Sequence, residues 1–166
     1  VNASGMSAQA AGTTTLDIAT TTQATGGTAS ITGTAGDDAI AVGNFASTID
    51  GGAGNDTIGG GTAADNLAGG DGVDTITDGG GNDTITGGAG ADSITISGTS
   101  VNVDGGDGND TINADATLST GDVVGGGDGT DKLAIDAAAT ASSSQGVSGF
   151  EILRADTTLT QDMVQF

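Results

Sequence analysis

The sequence has no cysteine, histidine, tyrosine, tryptophan or proline, and its 166 residues include only two basic ones, Lys132 and Arg154. The absence of cysteine excludes disulfides and thiolate metal sites. Without histidine, cysteine or tyrosine, the chain lacks the usual general bases and nucleophiles of catalysis. Two cations cannot form a basic patch, which argues against partners such as nucleic acid or an anionic membrane surface. These absences indicate a chain that is not an enzyme.

Long apolar runs are also missing. No uninterrupted apolar stretch approaches the roughly 18 residues of a membrane span, so membrane insertion is not expected. The N-terminus shows no basic and apolar leader ending in small residues. The chain begins and ends in the middle of its pattern, so we expect it to be a piece of a longer protein.

Glycine and acidic residues dominate what is present. There are 33 glycines and 22 acidic residues, and the formal net charge is −20. Such a chain repels itself, and its glycines lose much backbone entropy on folding. With only three phenylalanines, an ordinary hydrophobic core is not expected. This composition is typical of disorder unless a cation or a partner compensates the charge.

A nine-residue repeat organises the chain. The sequence GGAGNDTIG begins at residue 51, and close copies begin at 69, 87 and 105, each 18 residues after the last. The aliphatic residue of the repeat recurs every nine residues through ten successive positions: Ile31, Ile40, Ile49, Ile58, Leu67, Ile76, Ile85, Ile94, Val103 and Ile112. The series resumes at Val124 and Leu133, so a three-residue insertion is expected near 114–125.

A period of nine predicts an all-β fold. It suits a six-residue turn rich in Gly, Asn and Asp, followed by a three-residue strand whose middle side chain faces inward. Two units close an 18-residue coil, and stacked coils form two parallel sheets that enclose the aliphatic residues. We expect a Thr/Ala-rich leading β segment at 1–30, the repeat structure at 31–134, and a C-terminal β and capping segment at 135–166.

The repeat resembles the nonapeptide G-G-x-G-x-D-x-U-x of the RTX (repeats-in-toxin) family. Units 51–59, 69–77, 87–95, 105–113 and 126–134 match it fully, and 33–41, 60–68 and 78–86 each depart at one glycine. The resemblance implies a right-handed parallel β-roll in which Ca²⁺ lies between turns of consecutive coils. The implied ligands are the sixth-position Asp of both turns, the first- and third-position carbonyls of one turn, and the second- and fourth-position carbonyls of the other.

Applied to this sequence, the resemblance implies that the turns lie along two edges of the roll, and that these edges differ in their number of aspartates. The first edge presents Asp38, Asp56, Asp74, Asp92, Asp110 and Asp131. The other edge presents Ala29, Ser47, Asp65, Asp83, Val101 and Ser119. The implied metal-ligating residues are Gly33, Ala35, Gly36, Asp38, Gly51, Gly52, Ala53, Gly54, Asp56, Gly69, Gly70, Asp71, Gly72, Asp74, Gly87, Gly88, Ala89, Gly90, Asp92, Gly105, Gly106, Asp107, Gly108, Asp110, Gly126, Gly127, Asp128, Gly129, Asp131, Asp65, Asp78 and Asp83.

Five or six Ca²⁺ ions are therefore expected. On the first edge they would lie between aspartates 38/56, 56/74, 74/92 and 92/110, with a fifth at 110/131 if the insertion is accommodated. On the other edge the gap 65/83 is complete, and Asp78, which replaces a first-position glycine, could add a carboxylate there. Six Ca²⁺ ions would carry twelve positive charges and would therefore neutralise more than half of the net charge of −20.

Three functions are compatible with this interpretation. The combination GGDGTDKL, a loop, then GFEILR resembles RTX-type surface-layer and other large secreted surface proteins of bacteria, which favours a structural segment that folds, and self-associates or packs on neighbouring domains, at the cell surface. The alternative is the calcium-triggered folding module of an RTX exoenzyme or toxin that leaves the cell by type I secretion. A third hypothesis is ice binding by an outward row formed by Thr57, Thr75, Ser93 and Thr111, although threonine is common on exposed strands for its β-propensity alone.

Overall fold

The computed structural model describes residues 17–19, 28–98, 100–114, 118, 121–135 and 146–155, with backbone alone at 17–19 and 152–155. Much of the expected leading and C-terminal segments, and Ser119, lie outside these residues. Fifteen strands are described: β1 (Asp17–Ala19), β2 (Ala29–Thr32), β3 (Ala39–Ala41), β4 (Ser47–Ala53), β5 (Thr57–Gly59), β6 (Asn66–Asp71), β7 (Thr75–Thr77), β8 (Thr84–Ala89), β9 (Ser93–Ile96), β10 (Asn102–Asp107), β11 (Thr111–Ala114), β12 (Val123–Gly125), β13 (Lys132–Ile135), β14 (Val147–Ser148) and β15 (Ile152–Ala155). No helix in this part of the chain could cross a membrane.

The strands form two parallel sheets. The odd-numbered strands make one sheet in chain order from β1 to β15, and the even-numbered strands make the other from β2 to β14. Each strand pairs with the strand one coil away, so Ile40 lies beside Ile58 and Ile58 beside Ile76. The chain therefore crosses from one sheet to the other at every turn, and the prediction of a parallel β-roll is confirmed.

The core contains one aliphatic side chain per strand through most of the roll. The buried aliphatic residues from Ile31 to Ile112 are the nine-residue series together with Ile96 and Val101, and the series alternates with outward residues because strand side chains alternate. Val124 and Leu133 continue the series beyond the insertion. The core is therefore two side chains thick, and a coil obtains its buried surface from the coils above and below it. Phe150 is half-buried and packs against this core.

The two sheets differ in strand length, which the nine-residue period did not predict. Strands β5 and β7 have the expected three residues, whereas β4 has seven and β6, β8 and β10 have six. The longer strands continue into the following turn, where Gly52 pairs with Gly70 and Ala53 with Asp71. The first half of each of these turns is thus held in the same parallel ladder as the strand before it.

The insertion lies on one side of the roll only. Ile112 pairs with Ile94, an offset of 18 residues, whereas Val124 pairs with Val103, an offset of 21. The three additional residues therefore fall between β11 and β12. The turn that follows β12 is again regular, because Asp128 bridges Asp107 just as Asp107 pairs with Ala89.

Candidate metal centre

A ladder of aspartates follows the first edge, which we define as the turns that precede odd-numbered strands. In each turn the backbone N–H of the sixth-position aspartate donates a hydrogen bond to Oδ1 of the corresponding aspartate in the next coil. The five bonds measure 2.7–2.8 Å and join Asp38 to Asp56, Asp56 to Asp74, Asp74 to Asp92, Asp92 to Asp110, and Asp110 to Asp131. The aspartates that the sequence assigns to this edge are thus brought into one column.

In seven buried aspartates of the two edges, the second carboxylate oxygen has no hydrogen-bond partner. Oδ2 is buried and accepts no hydrogen bond in Asp56, Asp65, Asp74, Asp83, Asp92, Asp110 and Asp131. Buried carboxylates are normally paired or bound to a metal, because removing a charge from water is costly. A regular row of such atoms indicates sites where a cation would bind between the coils.

Backbone carbonyls converge on the same places. Beside Gly51, Oδ2 of Asp56 and the carbonyl oxygen of Gly69 both lie no more than 2.5 Å from the point where a Cβ would stand. The same convergence of an aspartate and a carbonyl recurs at Gly69, Gly87, Gly105 and Gly126. Only glycine leaves room for these oxygens, which explains the first position of the repeat.

The other glycines let carbonyls of the lower coil face the upper one. A methyl group on Gly70 would overlap the carbonyl oxygen of Gly52, and one on Gly72 would overlap that of Gly54. Gly70 and Gly72 have φ angles of +113° and +143°, which L side chains rarely adopt. Glycine is therefore favoured at the second and fourth positions for two reasons: the backbone conformation there suits glycine, and the carbonyl of the coil below leaves no room for a side chain.

The third-position carbonyl faces the opposite way. The carbonyl of Asp71 accepts a hydrogen bond of 2.8 Å from the N–H of Gly54 in the coil below. Between the turns 51–56 and 69–74, oxygens thus face the gap from the second and fourth positions of the lower turn and from the first and third of the upper turn. Two aspartates complete the set.

This donor set fits Ca²⁺. No group of three acidic side chains that could hold a metal occurs among the described residues, so each gap depends on two carboxylates and backbone oxygens. Ca²⁺ accepts six to eight such oxygen ligands in flexible geometry, whereas Mg²⁺ demands a tight octahedron. When bound, the ion supplies the positive charge that the unpartnered carboxylate oxygens lack.

Burial changes the acidity of the ladder. Loss of solvation, with a smaller contribution from neighbouring aspartates, raises the pKa of Asp56 and of Asp92 from 3.8 to about 6. Loss of solvation also raises the pKa of Asp74 and of Asp110, against the backbone hydrogen bond that each accepts. In the absence of a bound cation, full ionisation of this column of aspartates at neutral pH therefore costs folding free energy.

The first turn of this ladder, 33–38, differs from the turns that follow it. Thr34 replaces the second-position glycine, and its N–H donates to Oδ2 of Asp38 at 2.5 Å. The Thr34 hydroxyl lies 3.3 Å from Oδ1 of the same carboxylate. The Asp38 carboxylate is thus engaged within its own turn, whereas the gap 110/131 has the same arrangement as the interior gaps.

The second edge, formed by the turns that precede even-numbered strands, has a shorter ladder. Asp83 accepts from the N–H of Asp65, and Asp65 accepts from that of Ser47, both at 2.7 Å. Burial raises the pKa of Asp65 and of Asp83 to about 6. The ladder then stops, because Val101, which is buried, occupies the sixth position in the next coil.

Asp78 takes a position other than the expected one. Its carboxylate accepts hydrogen bonds from the N–H and hydroxyl of Ser97 and from the N–H of Gly98, in the coil above. Its backbone carbonyl, by contrast, lies 2.9 Å from the Cβ position of Gly60 and so faces the gap 65/83. Asp78 thus offers that gap a carbonyl oxygen, while its carboxylate joins its own turn to the coil above through Ser97 and Gly98.

Two acidic residues take part in the ladders without having been predicted. The register places Asp122, not Ser119, after Val101, whose N–H donates to Oδ1 of Asp122 at 3.0 Å. Glu151 ends the first edge, because its Oε2 accepts from the N–H of Asp131 at 2.7 Å. Asp122 precedes Val124 by two positions, and Glu151 precedes Leu153, which pairs with Leu133, by the same number. Every ladder aspartate has this spacing to an aliphatic residue, and the spacing is the signal that identifies them.

The family comparison agrees with the geometry. The model of the RTX calcium-binding nonapeptide repeat (4 copies) matches residues 32–67, 59–94 and 102–116. No curated protein and no solved structure matches the chain. The matched residues contain the first-edge aspartates from Asp38 to Asp110 with their glycine turns, and Asp65 and Asp83 of the second edge. The chain therefore carries an RTX calcium-binding β-roll.

Proposed function

We propose that this chain is a calcium-dependent structural segment of a secreted bacterial cell-surface protein, of surface-layer or adhesin-like type, that folds and assembles when it meets Ca²⁺ outside the cell. The observation that supports this most strongly is the row of seven buried Oδ2 atoms without a partner. RTX repeats occur in secreted extracellular proteins, where calcium is plentiful. According to this proposal, the roll therefore folds only outside the cell, where the protein acts.

The ions belong in the gaps between consecutive turns. We assign one Ca²⁺ to each of the gaps 38/56, 56/74, 74/92, 92/110 and 110/131 on the first edge, and one to 65/83 on the second. In the interior gaps the ligands are two ladder aspartates with the first-, second-, third- and fourth-position carbonyls. The gap 38/56 is expected to be the weakest of the first edge, because Thr34 already occupies the Asp38 carboxylate.

Calcium then acts as part of the fold. The residues of a gap come from two coils, so an ion held there joins those coils, and an interior aspartate joins two gaps. Because the unfolded chain has no such set of oxygens, binding free energy becomes folding free energy. Folding is therefore expected to be cooperative in calcium.

A structural role is favoured over catalysis. The buried carboxylates are arranged as a repeating column rather than as one distinct pair, and the chain has no histidine, cysteine or tyrosine. An RTX β-roll is typically a non-catalytic calcium-binding fold.

The folding module of an RTX exoenzyme or toxin is the second candidate. It shares the calcium-dependent folding, and the net charge of −20 suits a chain that stays unfolded where calcium is scarce. Ice binding has less support, because the outward row of Thr57, Thr75, Ser93 and Thr111 ends at Lys132 in the same register.

Extraction of intact cells with a chelator separates the first two candidates. If the chain belongs to a calcium-dependent surface scaffold, EDTA releases the parent protein from the cells, and added Ca²⁺ restores its assembly. Magnesium at the same concentration serves as the control. A parent protein that stays attached and keeps its assembly state in EDTA would contradict the scaffold proposal, whereas calcium-dependent folding of the isolated segment would stand.

A further inference from the structure

The first edge does not end with the last nonapeptide. Beyond the unit 126–134, the chain returns to the same edge at Gly149, Phe150 and Glu151. Leu153 pairs with Leu133, and the N–H of Glu151 donates to the carbonyl of Asp131 at 3.2 Å. A coil that lacks the repeat motif is thus stacked in register on the last RTX turn.

The gap between these two turns contains an unsatisfied carboxylate. Asp131 is completely buried, and its Oδ2 accepts no hydrogen bond. Its Oδ1 already serves the coil below, because it accepts from the N–H of Asp110 at 2.8 Å. The free oxygen of Asp131 therefore belongs to the gap above, toward Glu151.

Other oxygens converge on this gap as they do in the interior of the roll. Beside Gly126, Oδ2 of Asp131 and the carbonyl oxygen of Gly149 both lie no more than 2.7 Å from the point where a Cβ would stand. Gly149 has a φ of +77°, which favours glycine. The second- and fourth-position residues of the lower turn, Gly127 and Gly129, have φ angles of +99° and +148°, as in the interior turns.

Glu151 supplies the second carboxylate. Its Oε2 accepts from the N–H of Asp131, the bond that a ladder aspartate makes elsewhere. It is the sole glutamate of the chain. The turn that contains it is shorter than a nonapeptide turn, since three residues run from Gly149 to Glu151 where six run from Gly126 to Asp131. A longer side chain at this position extends the carboxylate to the place that the shorter backbone leaves open.

We propose that Asp131, Glu151 and the carbonyl oxygen of Gly149, with the carbonyls of Gly127 and Gly129, bind a further Ca²⁺ that joins the C-terminal coil to the roll. This site lies outside the nonapeptide motif and adds one ion to the six assigned above. The inference rests on the proposed calcium binding of the roll. It gives the capping coil a calcium-dependent attachment rather than one made by packing alone.

The test is an ion count on Glu151→Gln in the full 166-residue chain. The amide oxygen of glutamine can still accept the hydrogen bond from Asp131, so the substitution removes a charged ligand and preserves the cap. Asp104→Asn is the matched control, because Asp104 lies in the coil below, outside the implied ligand set, with an exposed side chain, and it also loses one charge. Circular dichroism in Ca²⁺ checks that each variant forms the roll.

Calorimetry and native mass spectrometry then count the ions at a free Ca²⁺ concentration that just saturates the unmodified protein. We expect Glu151→Gln to hold one ion fewer and Asp104→Asn to hold the full number. An unchanged count in Glu151→Gln would overturn the C-terminal site while the roll still binds calcium. A protein that binds no calcium at all would overturn the proposed function as well.

A second measurement needs no variant. Because Glu151 is the only glutamate, ¹³C-labelled glutamate gives an infrared carboxylate band from that side chain alone. A carboxylate bound to the ion has a band that differs between Ca²⁺-loaded and Sr²⁺-loaded protein. A carboxylate that only accepts a hydrogen bond from Asp131 has the same band in both, and that result would overturn the proposal.

Discussion

Neutralising one ladder aspartate should have opposite effects with and without calcium. Asp92 is the best position, because it lies inside the first edge and is almost completely buried. Its Oδ1 accepts from the N–H of Asp74, and its own N–H donates to Asp110, both at 2.8 Å. Asp92→Asn keeps an oxygen that can accept the first bond and removes only the charge.

The expected gain without calcium follows from the pKa. Burial raises the pKa of Asp92 from 3.8 to about 6, so the ion-free fold holds this proton more tightly than the unfolded chain. At pH 7 both states are ionised, and the fold bears a cost of about 3 kcal/mol. Removing the charge should therefore raise the ratio of folded to unfolded protein by about 100-fold in EDTA. With saturating Ca²⁺ the same variant loses a ligand shared by two gaps and should be less stable than the unmodified protein.

Asp107→Asn is the control, since its side chain is exposed and it removes one negative charge from the same region. Folding in EDTA is measured by circular dichroism during a titration with a stabilising osmolyte. The osmolyte favours the folded state, so that folded and unfolded protein are both populated. Folding by Ca²⁺ is then measured without osmolyte. If Asp92→Asn and Asp107→Asn fold at the same osmolyte concentration in EDTA, the buried ladder charges do not oppose folding, and the reasoning fails.

Three further predictions follow from the same structure. In EDTA the β signal should increase as the pH falls from about 6 to about 4, because carboxyls with raised pKa values take up protons in the fold first, and a signal independent of pH would contradict this. Asp74→Ala should lower calcium stoichiometry and folding cooperativity by more than Asp38→Ala or Asp65→Ala, and equal losses in calorimetric titrations would mean that the two edges bind alike. Gly70→Ala should abolish calcium-induced folding, since its methyl group would overlap the carbonyl of the coil below, whereas Gly59→Ala, whose methyl group would meet its nearest neighbour at 3.8 Å, should fold normally by circular dichroism.

Much of this fold could be predicted from periodicity. A side chain such as Ile58 is buried because it is the middle residue of a three-residue strand, and nine residues later Leu67 meets the same condition on the other sheet. The aspartate column follows from the same count, since one coil separates Asp56 from Asp74. These features depend on local spacing, which a single sequence shows directly.

The features that were missed depend on contacts between coils. The strand β4 extends through Ala53 because its turn pairs with the turn of the next coil, and no local signal marks that pairing. Asp122 was missed because the period locates an insertion only to the whole connection between Ile112 and Val124. Glu151 was missed because its turn has three residues instead of six and contains a single glycine, Gly149, although its spacing to Leu153 is that of every ladder aspartate.

The positions of the irregularities explain how the roll tolerates them. The insertion and the buried Val101 both fall on the second edge, where the aspartate ladder has already stopped after Asp83. The first edge continues without a break from Asp38 to Glu151, and each of its aspartates contacts the coils on both sides or closes an end. Because the carboxylate and carbonyl oxygens that face each gap on this edge come from successive coils, a three-residue insertion there would move them apart. On the second edge the insertion lies beyond the gap 65/83, so there it changes only the length of a connection.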